Sequence, residues 1–294
     1  MNIDPLHLRE IVRNALREDI GWGDRTTRSV LPQPPMDASG WISVREDCVV
    51  AGVSVATMVF TLLSAAARCS AAAADGDAVE GGDRILTVDA DAGTILSGER
   101  TALNFLMRMS GIASATRRLV RMVEGTGAAI VDTRKTAPGL RLLDKFAVAA
   151  GGGRNHRFGL DDGILIKDNH IALAGGIRAA VVRAKAAAPH PMRVQVEVRS
   201  LEQLHKAIES GAEAALLDNM APHELRQAVD LARGEGGGGG RVIMEASGGI
   251  GEHNIREVAE SGVDLISVGA ITHSPRAIDM TMSVAPREAE ESDD

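Results

Sequence analysis

The sequence predicts an α/β protein in two parts: a small N-terminal α/β sandwich, then a run of βα units around a parallel sheet. Three observations predict it. From about residue 113, apolar stretches of strand length alternate with amphipathic stretches of helix length. Before that point the texture is irregular, with short alternating runs separated by Gly- and Asp-rich turns. Charged residues or glycines end nearly every strand of the second part. A sheet closed as a barrel delivers such residues to one face.

Taken in order, Leu8, Ile11, Val12, Ala15 and Leu16 mark an amphipathic helix from Asp4 to Glu18, and Gly21 to Thr27 reads as a turn. Gly40 to Val44 alternates as a strand. Cys48 to Ala67 carries no charge over twenty residues, long enough in principle to cross a bilayer. Gly52, Ser54, Thr57, Thr61 and Ser64 interrupt it, while Val55, Val59 and Leu62 keep helical spacing, so a buried core helix explains it better. Strands and hairpins are expected between Ala71 and Gly98, and a helix from Glu99 to Met109.

In the second part, strands are expected at 128–132, 164–167, 193–198, 214–217, 241–245 and 264–268. Helices are expected at 113–124, 140–150, 175–187, 201–210, 222–233 and 252–261. Repeating units of that length imply a parallel sheet, closed as a barrel or doubly wound. The polyglycine run 236–240 lacks the side chains and context of a phosphate loop and reads as a flexible connector. The domains are placed at 1–112 and 113–273, with 274–294 returning to the first domain or forming a disordered tail.

Composition narrows the function. The net charge is −8, and the last nine residues hold five acids against one arginine, which is half of it. No basic stripe is visible, and nucleic acid is excluded as the main partner. The two cysteines, Cys48 and Cys69, have no metal-ligand spacing and fit a reducing compartment. The first nine residues lack the order of a signal peptide, so a cytoplasmic location and no membrane are expected.

Three apolar-to-cationic transitions carry the chemistry: Val131 to Gly139, Gly151 to Arg157, and Ile164 to His170. The strand ends offer Arg134 and Lys135, Lys167 and Asp168, Glu197, Asp218, Glu245 with Ser247 to Gly249, and Ser267 with Gly269. Burying one such charge costs several kcal/mol unless it is paired or meets a ligand, so a repeated pattern points to a pocket for a small, multiply negative ligand. Ser247 to Ile250 and Val268 to Ala270 each precede a turn or helix, where backbone N–H groups can cradle a phosphate.

The run Asp132-Thr-Arg-Lys-Thr136, the cluster Gly151 to Leu160 and the run Ile164 to His170 resemble the quinolinate phosphoribosyltransferase family. So do Ser97 to Phe105, Leu216 to Asn219 and Glu245 to Gly249, and the resemblance runs from Gly23 to about Asp279. It implies an incomplete, open α/β barrel behind the N-terminal sandwich. It also implies a homodimer in which each subunit's N-terminal domain closes the other's barrel mouth. The activity it implies is transfer of phosphoribose from phosphoribosyl pyrophosphate to quinolinate with decarboxylation, giving nicotinate mononucleotide, pyrophosphate and CO2 in NAD biosynthesis.

Carried over residue by residue, Thr133, Arg134, His156 and Arg157 would grip the two quinolinate carboxylates, with Arg100 reaching in from the partner subunit. Lys135 and Lys167 would act as catalytic point charges on substrate and pyrophosphate. Glu197 and Asp218 would address the ribose hydroxyls and Mg2+. Ser247, Gly248, Gly249 and Gly269 would hold the 5′-phosphate. His170 and His273 stay outside the catalytic set, since a His beside a turn more often bonds backbone.

The chain departs from the family pattern at Gln195 and Arg199, where acids are common, and at Arg154, where a small residue is frequent; Arg154 leaves substrate contact and solvent exposure both open. Competing readings are a Schiff-base aldolase using Lys135 or Lys167, nicotinate phosphoribosyltransferase, and a non-catalytic or differently specific paralogue.

Overall fold

A computed structural model describes residues 4–33, 35–235 and 241–287. The expected polyglycine connector and most of the acidic tail lie outside them.

The chain opens with α1 (Pro5–Ile20), capped by the Asp4 side chain, which accepts from the Leu6 N–H; Leu8, Ile11, Val12 and Leu16 form its buried stripe. The expected turn at Gly21 to Thr27 is a turn only as far as Asp24. There the Asp24 carboxylate accepts from Thr27 N–H at 2.9 Å and from its hydroxyl at 2.5 Å, and α2 (Arg25–Val30) begins.

β1 (Asp37–Val44), β2 (Cys48–Val49), α3 (Val53–Leu63), β3 (Arg68–Ala71), β4 (Ala78–Val79) and β5 (Arg84–Asp91) follow. The uncharged run thus divides at Gly52, whose φ of 103° ends the strand segment and starts an 11-residue helix. No described helix is long and apolar enough to cross a membrane. Both cysteines are free thiols, and burial, then Glu46 and Asp47, push Cys48 up to about 11.

α4 (Ala92–Met122) is one helix of 31 residues where two were expected. Gly98 precedes the first expected helix and Gly111 falls between the two, yet each is a close approach within the one helix: a Cβ at Gly98 would lie 2.8 Å from the Phe60 ring, and one at Gly111 would strike the Arg276 carbonyl. The helix keeps both because neighbours need the room.

β6 (Ala129–Val131), α5 (Arg141–Ala150), β7 (Ile164–Ile166), α6 (Asp168–Ala174), α7 (Ile177–Ala187), β8 (Val194–Val198), α8 (Leu201–Glu209), β9 (Ala214–Asp218), α9 (Pro222–Glu235), β10 (Ile243–Ser247), α10 (Ile255–Ala259), β11 (Leu265–Ser267), α11 (Ala270–His273) and β12 (Met280–Pro286) complete the chain.

Two compact units result. The first comprises residues 1–115, 137–152 and 274–294. Its antiparallel sheet has the order β12-β1-β5-β3, with β12 returning to pair with β1 from Ala38 to Val44. Alternate residues Ala38, Ile42 and Val44 of β1 are buried. The segment carrying α5, counted with the barrel from sequence, belongs to this unit. Within it Asp144 is fully buried and takes a two-point contact from Arg108, at 2.9 Å from Nε and 2.8 Å from Nη2.

The second unit, 116–136 and 153–273, is an incomplete α/β barrel. Its sheet has the order β6-β11-β10-β9-β8-β7 and every described pairing is parallel, so β6 and β7 remain unjoined edges. Val131 and Arg154 form a single parallel bridge on the outer side of β6. Glycines 175 and 176, both at positive φ, separate α6 from α7 and place an extra helix directly after β7. β10 runs two residues later than expected because its register with β9 begins at Ile243 opposite Ala214 and ends at Ser247 opposite Asp218.

Candidate active site

A cavity of about 600 Å3 opens at the C-terminal ends of the barrel strands, and every residue lining it belongs to the second unit. Parallel strands aim their last residues at one end, so side chains far apart in sequence meet there.

Beyond β6, Asp132 is fully buried; its carboxylate accepts from the His156 N–H at 2.8 Å and from Asn155 Nδ2 at 3.3 Å. Asp132 N–H in turn donates to the Arg154 carbonyl. These bonds sew the loop before Arg157 to the loop that carries Thr133, Arg134 and Lys135. Thr133 Oγ1 accepts from the Lys135 N–H, and Thr272 donates to the Lys135 carbonyl at 2.9 Å, which fixes that backbone from a second side.

Thr133, Arg134, Lys135, His156 and Arg157 all line the cavity. Arg157 Nη1 donates to the Gly163 carbonyl at 2.8 Å, and the loop between is closed by Asp162, which accepts from Phe158 and Gly159 N–H groups. Burial, and after it the Arg134 charge, push the Arg157 guanidinium below the ordinary arginine range, with Asp162 opposing. Two guanidiniums close enough to disfavour each other want an anion between them.

Lys167 follows β7, with Nζ 3.4 Å from Glu197 Oε2. His170 accepts the Lys167 N–H at 2.9 Å and so serves backbone, whereas His273 lines the cavity. Glu197 and Asp218 end neighbouring strands and both line the cavity. Arg199 spans them: its Nε lies 3.0 Å from Asp218, and its Nη2 is 3.8 Å from Glu197 and 3.4 Å from Asp168.

The residues fit a magnesium ion in one way only. Two carboxylates supply hard oxygen donors, but no group of three His, Cys, Asp or Glu among the described residues could hold a metal alone. Such a pair suits an ion whose other ligands are phosphate and water oxygens.

Ser247, Gly248, Gly249 and Gly269 line the same cavity. Gly248 has φ 95°, and a Cβ there would strike the Asn219 side chain, so only glycine lets this turn pass Asn219. A Cβ at Gly269 would meet Lys135 Cδ at 3.1 Å. The helix expected at 252–261 begins only at Ile255, so the cradle there is a turn, while a short helix, α11, follows Gly269 where a turn was expected.

Arg100 is exposed on α4 of the first unit and is not among the lining residues; Arg154 is exposed and also outside the lining. Sequence reasoning missed Asn219, held at φ 56° and donating to Asp218 Oδ1 at 3.0 Å. Its place after Asp218, and an Asn's tolerance of positive φ, were the available signals.

Cations for two or more carboxylates, a side-chain-free cradle for phosphate and an acid pair for hydroxyls or a metal, all at strand ends, define a barrel that joins a phosphorylated sugar to an anionic acceptor. Residues 24–110 match the family described as quinolinate phosphoribosyl transferase, N-terminal domain, and residues 112–283 match its C-terminal domain. The chain belongs to the quinolinate phosphoribosyltransferase family.

Among its relatives is the probable nicotinate-nucleotide pyrophosphorylase [carboxylating] of Bacillus subtilis, 40% identical over 279 residues, covering 95% of this chain and 94% of the relative. The nicotinate-nucleotide pyrophosphorylase [carboxylating] of Mycobacterium leprae is 42% identical over 282 residues, covering 94% and 96%. The solved nicotinate-nucleotide pyrophosphorylase of Francisella tularensis superposes with a TM-score of 0.90 at 38% identity, covering 97% of this chain and 98% of that one.

Proposed function

We infer that this chain is a carboxylating nicotinate-nucleotide pyrophosphorylase: it transfers phosphoribose from phosphoribosyl pyrophosphate to quinolinate and releases CO2, in NAD biosynthesis. The observation that carries it is one cavity gathering Arg134, Arg157, Lys135 and Lys167 with the glycine-lined turn at Ser247 to Gly249. A substrate with one carboxylate would leave such a cluster under-neutralised; two adjacent carboxylates match it.

In this reading Arg134 and Arg157, with Thr133, hold the quinolinate carboxylates and orient the ring nitrogen toward C1′ of the phosphoribosyl group. The nitrogen forms the new C–N bond as the C1′–O bond to pyrophosphate breaks. Lys135 and Lys167 stabilise the charge that develops on the leaving oxygen. Ser247, Gly248, Gly249 and Gly269 hold the 5′-phosphate through backbone N–H groups.

The ring nitrogen is now cationic. The C2 carboxylate carbon departs as CO2, its bonding pair stays on C2 beside that positive charge, and a proton then replaces it. No covalent link to Lys135 or Lys167 is needed. Glu197 and Asp218 would hold Mg2+, which when bound supplies positive charge to the pyrophosphate. The homodimer and Arg100 donated from the partner subunit belong to this reading on family resemblance, and a cytoplasmic location belongs to it on the two free cysteines.

The test is formation of nicotinate mononucleotide and CO2 from quinolinate and phosphoribosyl pyrophosphate. Equimolar products are expected with Mg2+ and none after chelation by EDTA. Nucleotide from nicotinate without CO2 would select the non-decarboxylating relative; binding of both substrates without product would select a non-catalytic one.

Gly248→Ala tests the cradle. Ala must adopt φ 95° and displace Asn219, so the KM for phosphoribosyl pyrophosphate is expected to rise roughly ten-fold or more, while quinolinate binding holds. Separate titrations of the two substrates read it.

A further inference from the structure

Glu245 stands on β10 two residues before Ser247, hence on the same face, and is 1% exposed. Packing alone would put an apolar residue here, as at its register partners Leu216 and Leu265. Instead a carboxylate is buried, and it is not among the residues that line the cavity. Its Oε2 accepts from Gln195 Nε2 at 2.8 Å and lies 3.4 Å from His156 Nε2; its Oε1 has no hydrogen-bond partner among the described residues. Burial raises its pKa, but hydrogen bonds from His156, Gln195 and Ser267 act against it, and it lies below the usual glutamate range.

Gln195 matters to that charge state. A carboxylate in its place, 2.8 Å from Glu245, would force the pair to share a proton. The Gln195 amide donates instead, and Glu245 stays an anion.

The other side of the imidazole completes the chain. His156 Nδ1 accepts the Arg157 N–H at 2.7 Å. A ring nitrogen that accepts carries no proton, so the hydrogen-bond network assigns the proton to Nε2, facing Glu245. The His156 backbone is pinned as well, by its N–H bond to Asp132.

We propose that Glu245, supported by Gln195, is a positioning residue for quinolinate binding: it fixes the Nε2–H tautomer of His156, whose Nδ1 then holds the Arg157 amide and so aims the guanidinium. The proposal rests on the quinolinate reading of the cavity. His156 itself lines the cavity, so holding Arg157 is a task added to the substrate contact the family resemblance implies.

Two readouts on the full-length enzyme test it. Long-range 15N–1H NMR of the His156 ring at pH 7.5 is expected to show the Nε2–H tautomer in the wild type and a mixture of tautomers in Glu245→Gln. Kinetics of Glu245→Gln are expected to show a quinolinate KM raised about 10–100-fold, the range for lost outer-shell partners, with kcat and the Kd for phosphoribosyl pyrophosphate changed less than about three-fold. A wild-type ring protonated on Nδ1 overturns the proposal. So does Glu245→Gln with an unchanged quinolinate KM, or with both affinities lost together, which is what general damage would give. If Glu245→Gln does not fold, Gln195→Ala, which removes only the donor to Glu245, is held to the same outcomes. Failure of the wild type to use quinolinate at all would sink the functional reading, whereas normal turnover with the wrong tautomer would sink only this one.

Discussion

Arg157→Ala lowers kcat/KM for quinolinate by about two to three orders of magnitude, while the affinity for phosphoribosyl pyrophosphate changes less than about three-fold. The guanidinium lines the cavity beside Arg134, and burial together with that neighbour already disfavours its charge. An anionic ligand relieves both costs, so the attraction between Arg157 and a carboxylate is stronger than at a surface. Removing one partner of such a pair costs about 2–5 kcal/mol. Arg157→Lys is expected to recover little. A lysine has no fork for a carboxylate, and it cannot keep the Gly163 carbonyl bond at 2.8 Å while also reaching substrate. Steady-state kinetics with quinolinate varied, set beside calorimetric titration of phosphoribosyl pyrophosphate, measures the two effects separately. Equal loss of both would place Arg157 in the frame of the cavity instead of on quinolinate.

The barrel was legible in sequence because its strands are buried on both faces and therefore read as apolar runs, with a charged residue wherever a run meets the cavity. Lys135, Lys167, Glu197 and Asp218 could be placed at strand ends from that pattern alone, and the structure brings all four to one cavity. Roles were a different matter: that Arg134 and Arg157 face a dicarboxylate came from family resemblance, since periodicity says nothing of ligand shape.

What stayed hidden depends on contacts between distant residues. That one helix runs through Gly98 and Gly111 depends on the Phe60 ring and the Arg276 backbone packed against them. The bond from the His156 N–H to Asp132, which joins two motifs 24 residues apart, cannot be read from either motif alone. Arg199 was visible as a departure, but not that it would reach Asp218 and approach Glu197 and Asp168 together. Glu245 was visible as a charged strand residue, but not its burial 3.4 Å from the His156 ring.

The largest effect on stability is expected from Asp144→Ala, about 3–5 kcal/mol of destabilisation. The Asp144 side chain is wholly buried on α5, where its Oδ1 and Oδ2 receive both prongs of the Arg108 fork at 2.9 and 2.8 Å. Oδ2 also accepts the Ala137 N–H at 3.0 Å, tying the turn before α5 to the same anion. Truncation removes three acceptor contacts at once and leaves a small void. Arg108, 30% exposed, can regain only part of its hydration. Asp144→Asn separates charge from shape: it keeps one oxygen but turns an amide toward the guanidinium, so it should lose most of the same stability. Arg108→Met combined with Asp144→Leu should lose less than the two single substitutions added together, because no unpaired charge remains. Urea unfolding followed by circular dichroism measures the wild type and all five variants. A loss below about 1 kcal/mol in Asp144→Ala would mean that water satisfies Arg108 and Ala137 as well as the carboxylate does, and that this buried pair serves specificity more than stability.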